Sequence, residues 1–188
     1  MTKTCSAQRA DPDKMERTNR MDAVICGIDP GLGVTGYAVL RVRAGASIVL
    51  DAGVCRLGPG KPLATRLVAL EEDLDAVFQE FEPDVVAVEE LYAHYKHPRT
   101  AILMGHARGV VLCTAARLGI DLRGYSATRV KRHLTGSGRA SKPQMQRAIQ
   151  TTLGLSSVPE PHDVADALAI ALCCAADVAR RERQGVPV

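Results

Sequence analysis

The 188-residue sequence has no tryptophan and only six aromatic side chains, four Tyr and two Phe, so its 46% of hydrophobic residues is almost wholly aliphatic. Long apolar runs are missing too. Even residues 164–176 are interrupted by Asp166 and fall short of the roughly 18 apolar residues that a membrane helix needs, which excludes a spanning segment. There is no N-terminal apolar stretch of the kind that directs secretion, and no internal repeat or low-complexity tract. The six cysteines contain no C-x-x-C pair, the spacing on which zinc ribbons and redox thiols are built. Cys26, Cys55, Cys113, Cys173 and Cys174 lie among Val, Leu, Ile or Ala and are expected to be buried thiols of a reducing cytoplasm; Cys5 sits in a polar stretch. What remains, with 24% charged residues, is the composition of one soluble α/β domain, not of a multidomain assembly or a disordered chain.

The formal net charge is only +3, but the signs are segregated. Residues 71–90 carry nine Asp or Glu and no Lys or Arg. Residues 92–147 carry eleven Lys or Arg against the single acid Asp121, a local balance of +10. A block that basic in a near-neutral protein points to a polyanion lying across this half of the chain; the alternative is a solvated face of helix-surface arginines.

Periodicity supplies the element order. Residues 23–29 form an apolar run too short for a helix and closed by Pro30-Gly31, which predicts a central buried strand. Residues 35–41 and 47–57 follow as strands across glycine-bearing turns, an antiparallel meander. Over 62–81, Leu63, Leu67, Leu70, Leu74, Val77 and Phe78 recur at spacings of three and four, the pattern of an amphipathic helix. Residues 84–89 are a further buried strand, 99–118 a helix closed by Gly119, and 120–125 a fifth strand. A short basic helix over 126–133 and helices over 142–153 and 162–183 complete the series. Residues 1–21 are polar and aperiodic and are expected to be a disordered extension, with one domain over 22–183 and a tail over 184–188. This order predicts an α/β fold: a five-stranded mixed sheet, three antiparallel strands then two parallel ones, with helices on both faces. It is the element order of the ribonuclease H-like fold.

Four acids fall where such a sheet gathers ligands. Asp29 ends the first strand and Glu89 the fourth, and ligands of open α/β sheets collect at the carboxyl ends of strands. Asp163 and Asp166 stand three apart on the last helix and share a face. Asp166 lies among Val164, Ala165, Ala167, Leu168 and Ala169, where an ionised carboxylate needs a partner. Converging carboxylates repel unless cations sit between them, and hard oxygen donors suit Mg²⁺ or Mn²⁺, the pair used for in-line displacement at phosphodiesters. Taken singly, Asp29 also reads as turn chemistry, Glu89 as the solvated end of the acidic block, and Asp163 as a complement to a helix N-terminus.

The stretches Gly27-Ile-Asp-Pro-Gly31, Val34-Thr-Gly-Tyr37, Val86-Ala-Val-Glu-Glu90, Gly105-His-Ala-Arg-Gly109 and Asp163-Val-Ala-Asp-Ala-Leu-Ala169 resemble, in order, the successive motifs of the RuvC Holliday-junction resolvases, over residues 23–177. The resemblance implies a metal-dependent endonuclease of recombination and repair, in which Asp29, Glu89, Asp163 and Asp166 hold two Mg²⁺ or Mn²⁺ ions. The position matching Asp163 is His in some members, and His162 stands beside it here. Tyr92 matches an aromatic that stacks on a base near the junction centre. Lys131 and Lys142 match bases that hold the phosphate backbone, and Arg129, Arg132 and Arg139 are candidates of the same kind. The resemblance further implies a homodimer, whose interface includes the helix bearing Gly105 and Gly109, paired nicks leaving 5′ phosphate and 3′ hydroxyl, a thymine-rich preference, and collaboration with RuvA- and RuvB-type partners.

His94, His97 and His133 read as basic-surface residues, since no second ligand stands at a metal-site spacing. Thr35-Gly36 either touches a phosphate or only begins the second strand. Two other functions share parts of the pattern. A phosphotransferase of the actin and sugar-kinase type needs a second half with another phosphate loop, which the chain lacks. A catalytically silent junction-binding module needs only the basic block.

Overall fold

A computed structural model describes residues 22–31, 33–58, 60–91 and 98–184. The expected extension over 1–21, the tail over 185–188, and Cys5, Tyr92, His94 and His97 lie outside the described residues. The elements run β1 (Asp22–Asp29), β2 (Val34–Arg43), β3 (Ala46–Arg56), α1 (Leu63–Phe81), β4 (Val85–Glu89), α2 (Pro98–Arg117), β5 (Asp121–Tyr125), α3 (Ala127–Thr135), α4 (Lys142–Leu153) and α5 (His162–Arg183). Among the described residues no helix is long and apolar enough to cross a membrane.

The strands form one sheet in the order β3-β2-β1-β4-β5. The β2–β3 hairpin turns through Ala44 and Gly45, both at positive φ (49° and 81°), a turn whose twist matches that of its strands. β1 pairs antiparallel with β2 and parallel with β4, and β4 pairs parallel with β5. Central β1 is therefore covered on both faces, and its side chains divide by parity. Ala23 and Ile25, with Ala38, Leu40, Val85 and Ala87, pack under α3, α4 and α5. Cys26 and Ile28, with Val39, Val86 and Val88, pack under α1 and α2 against Leu70, Leu74, Phe78 and Val111. Fully burying each Val, Leu, Ile or Phe among them contributes about 1.5–3 kcal/mol, and this is what fixes the register.

One expectation fails. Cys113 is exposed, unlike Cys26, Cys55, Cys173 and Cys174. It lies on the outer face of α2, in a groove it lines with Glu71, Ile102, Gly105, His106 and Gly109. Its apolar neighbours in sequence belong to the opposite, inward face of the same helix, where Ala107, Val111 and Ala115 are buried.

Candidate active site

The strand parity that builds the core also gathers the acids. On β1 the face that carries Ala23 and Ile25 next presents Gly27 and then Asp29; on β4 the face of Val85 and Ala87 next presents Glu89. The parallel pairing ends at Ile28↔Val88, so Asp29 and Glu89 are the next residues of adjacent strands, on the face that α5 covers. Their carboxyl groups hydrogen-bond one another.

Two glycines let α5 come close enough to add its own pair. A Cβ on Gly27 would lie 2.6 Å from the amide nitrogen of Ala171, and one on Gly36 would lie 2.5 Å from the carbonyl carbon of Asp163, with the Asp163 oxygen nearer still. Any side chain at either position would push the helix off the sheet. Seated in this way, α5 brings Asp163 and Asp166 into the field of Asp29. The turn after β1 is pinned by buried Thr35, whose hydroxyl donates to the Gly31 carbonyl at 2.7 Å and accepts from the Gly31 amide at 3.3 Å.

The electrostatics are those of crowded carboxylates. Burial, then the charges of Glu89 and Asp166, push the Asp29 carboxyl up to about 8. Burial also raises Glu89, against the hydrogen bond from Asp29 and the nearby Lys131, which lower it. Asp166 is raised by burial and opposed by Lys142, His162 and Lys131. Asp29 is thus the member of the pair that holds its proton more tightly, with Glu89 as the acceptor of its hydrogen bond. Among the described residues no three carboxyl, imidazole or thiol groups converge on one coordination point as they stand.

Beside the acids lies a cavity of about 180 Å³, lined by Glu89, Asp166, Lys131, Lys142, Gln146 and His162 over an apolar floor that includes Val130, Met145 and Ile170. Lys131 rides on α3, capped by Ser126; Lys142 opens α4, whose capping box joins Ser141 and Gln144. Pro143, in the first turn of α4, fits without loss. His162 stands 3.1 Å from the side-chain amide of Gln146 through its Nδ1.

The other predicted residues fall farther out. Arg132 and Arg139 are exposed. Arg129 is engaged: its guanidinium pairs with Asp177 and lies 4.9 Å over the ring of Tyr125, which itself donates to Asp177 at 3.0 Å. His133 is exposed, as expected. Part of the basic block is also neutralised internally, since Arg117 bridges Glu71 and Asp75 on α1 and Arg123 pairs with Asp121. Three contributors were missed in the sequence: Gly27 and Gly36 as the seat of α5, and Arg108, whose Nε donates to the Glu89 carbonyl at 3.1 Å. Each stood inside a quoted motif, but what it touches is tertiary.

Comparison with known proteins places the chain. The family profile described as "Crossover junction endodeoxyribonuclease RuvC" matches residues 25–174. The crossover junction endodeoxyribonuclease RuvC of Rhodopirellula baltica is 49% identical over 149 residues, covering 79% of this chain and 84% of that protein. The protein of the same name from Ruminiclostridium cellulolyticum is 39% identical over 150 residues, covering 80% and 90%. Among solved structures, Thermus thermophilus RuvC in complex with Holliday junction substrate superposes with a TM-score of 0.77 at 34% identity, covering 88% of this chain and 99% of that one. The yeast mitochondrial Holliday junction resolvase Ydc2, at 15% identity and a TM-score of 0.64, shares the fold.

Proposed function

The chain belongs to the RuvC family of crossover junction endodeoxyribonucleases, and from that premise we propose that Asp29, Glu89, Asp163 and Asp166 are its metal-binding active site, working with two Mg²⁺ or Mn²⁺ ions on four-way junction DNA. The observation that carries this reading is the hydrogen-bonded meeting of Asp29 and Glu89 at the ends of neighbouring parallel strands, faced by the acids of α5. The donor set fits the family's metal dependence: four carboxylate side chains as hard oxygen donors, with Asp29, Glu89 and Asp166 raised by burial and, for Asp29, further by the charges of the other acids. When bound, divalent cations supply charge neutralisation at the scissile phosphate and an acidified water.

The protein's own side chains do the holding. Lys131 and Lys142, on either side of the cavity, meet the phosphates that flank the reacting one and keep the strand against the acids. Arg132 and Arg139 extend that basic surface, and Arg129 joins it only in competition with Asp177. Tyr92 stacks on a base near the junction centre. His162, fixed by Gln146, borders the phosphate path without replacing Asp163 as ligand. Two copies related by a two-fold axis match the near two-fold symmetry of a four-way junction, so that paired nicks leave ligatable 5′ phosphate and 3′ hydroxyl ends in recombination and repair. The uncovered α2 groove, with Ile102 61% exposed, supports that helix as the dimer face. RuvA- and RuvB-type partners, a thymine-rich preference and a cytoplasmic location complete the proposal.

The test compares wild type with Asp29→Asn on a mobile four-way junction and on linear duplex of the same sequence, in Mg²⁺, Mn²⁺ and EDTA. Symmetric, metal-dependent nicking of the junction alone, lost in the variant while binding survives, is the expected result. Tight junction binding without nicking in any metal leaves a binding module and overturns the catalytic reading.

A further inference from the structure

The Gly105-His-Ala-Arg-Gly109 stretch carries an arginine that neither the carboxylate cluster nor the phosphate surface uses. Arg108 reaches the site from α2, on the opposite face of the sheet, and its Nε donates to the carbonyl oxygen of Glu89 at 3.1 Å. The need for that bond is written into the neighbouring strand. The parallel ladder of β1 and β4 runs from Ile25↔Val85 to Ile28↔Val88. One step further, the Glu89 carbonyl would accept from the amide of residue 30, as each carbonyl of a parallel ladder accepts from the strand beside it. Residue 30 is proline and has no N–H. The ladder stops there, although on the other side the Glu90 amide still donates to the Tyr125 carbonyl at 2.9 Å. The turn that aims Asp29 thus strips Glu89 of its backbone partner on the β1 side. A guanidinium takes the vacated place, with a charge-assisted bond stronger than the amide it replaces.

We infer that Arg108 is a positioning residue of the nuclease: by holding the Glu89 carbonyl it fixes the end of β4, and with it the place where the Glu89 carboxylate meets Asp29 and a divalent cation. This rests on the reading of Glu89 as a metal ligand. A lysine at this position keeps the charge but loses the planar fork that presents Nε to the carbonyl.

The test is the rise in melting temperature of the full chain with Mn²⁺ concentration, for wild type, R108K, R108Q, E89Q and the double variant R108K/E89Q, with nicking of a four-way junction measured alongside. R108K and R108Q are expected to raise the half-saturating Mn²⁺ concentration about 10- to 100-fold, the usual loss when a residue supporting a metal ligand is removed. At saturating Mn²⁺ their nicking returns toward the wild-type rate. The double variant should be no weaker for Mn²⁺ than E89Q alone, because Arg108 acts through Glu89. A lowered melting temperature with wild-type half-saturation in both Arg108 variants marks a merely structural arginine and overturns the inference. So does a double variant whose loss is the full product of the two single losses. Wild-type half-saturation in E89Q removes Glu89 from the metal site and overturns the underlying reading instead, and the inference with it.

Discussion

Replacing Gly36 by alanine is a sharp test of how the site is assembled. A Cβ there would sit 2.5 Å from the carbonyl carbon of Asp163, whereas carbon atoms in contact settle at about 3.5–4.0 Å, so the first turn of α5 must retreat by about 1 Å. The strand cannot give way, because Gly36 lies in the middle strand of a hairpin pair, opposite Asp29 on one side and Val54 on the other. Overpacking of this kind costs about 1–3 kcal/mol, partly offset by the roughly 0.5–1 kcal/mol that alanine saves in strand entropy. For a chain of this size the net loss of about 1–2 kcal/mol lowers the melting temperature by a few degrees. The rate should suffer far more. Asp163 and Asp166 move with the helix while Asp29 and Glu89 stay with the sheet, and a misplacement of about 1 Å costs on the order of 100-fold. The assay is single-turnover nicking of a fixed four-way junction in saturating Mg²⁺, with junction binding measured in EDTA. Binding should hold while nicking falls about 100-fold. A variant that melts lower yet nicks like wild type would show that the seat of α5 does not set the geometry of the acids, and the reasoning would be refuted.

Gly105→Ala is the matched control: its Cβ meets nothing within 4 Å, so alanine should stabilise the monomer by up to about 1 kcal/mol through helix propensity, read as a higher urea midpoint. In the metal-free protein the Asp29 carboxyl, raised to about 8, favours folding below its unfolded value near 3.8, and that contribution is lost as pH rises toward 8 at about 1.4 kcal/mol per unit; melting curves should fall over this window in wild type and flatten in Asp29→Asn. Lys142→Ala should weaken junction binding and reduce the slope of log affinity against log salt by about one, whereas Arg129→Ala, which breaks the contact with Asp177 and Tyr125, should cost about 1 kcal/mol of stability and leave that slope near wild type, as fluorescence anisotropy and urea titration will show. Maleimide should label Cys113 rapidly in dilute native protein while Cys26 and Cys174 stay protected, and protection of Cys113 at higher protein concentration would locate the dimer face on α2.

Much of this is legible in the amino-acid sequence alone. Alternation along residues 23–29 and 84–89, and the spacing of Leu70, Leu74 and Phe78, set the strands and helices because burial of one face is what each pattern encodes. The acids were legible for the same reason: Asp29 and Glu89 end runs whose parity is fixed by the core, and Asp166 is a charge in an apolar stretch. Pairing between distant charges was not. Arg117 and Arg129 look like Lys131 in sequence, and only the packing of α1 on α2 and of α3 on α5 brings Glu71, Asp75 and Asp177 to them. Clearance was hidden as well, since the use of Gly36 depends on a helix more than a hundred residues away. Cys113 misled because an apolar neighbourhood in sequence wraps both faces of a helix, and only one of them is covered.

The position of α5 in the chain has a consequence for cutting. Among the described helices it follows all the others in the chain, it carries two of the four acids proposed above, and its seat on β1 and β2 lies far upstream. A chain broken before residue 163 carries Asp29 and Glu89 but lacks both the other two proposed acids and the helix that covers their face of the sheet. On the proposed reading, cutting therefore waits for the far end of the domain, although half of its acids are placed near the start.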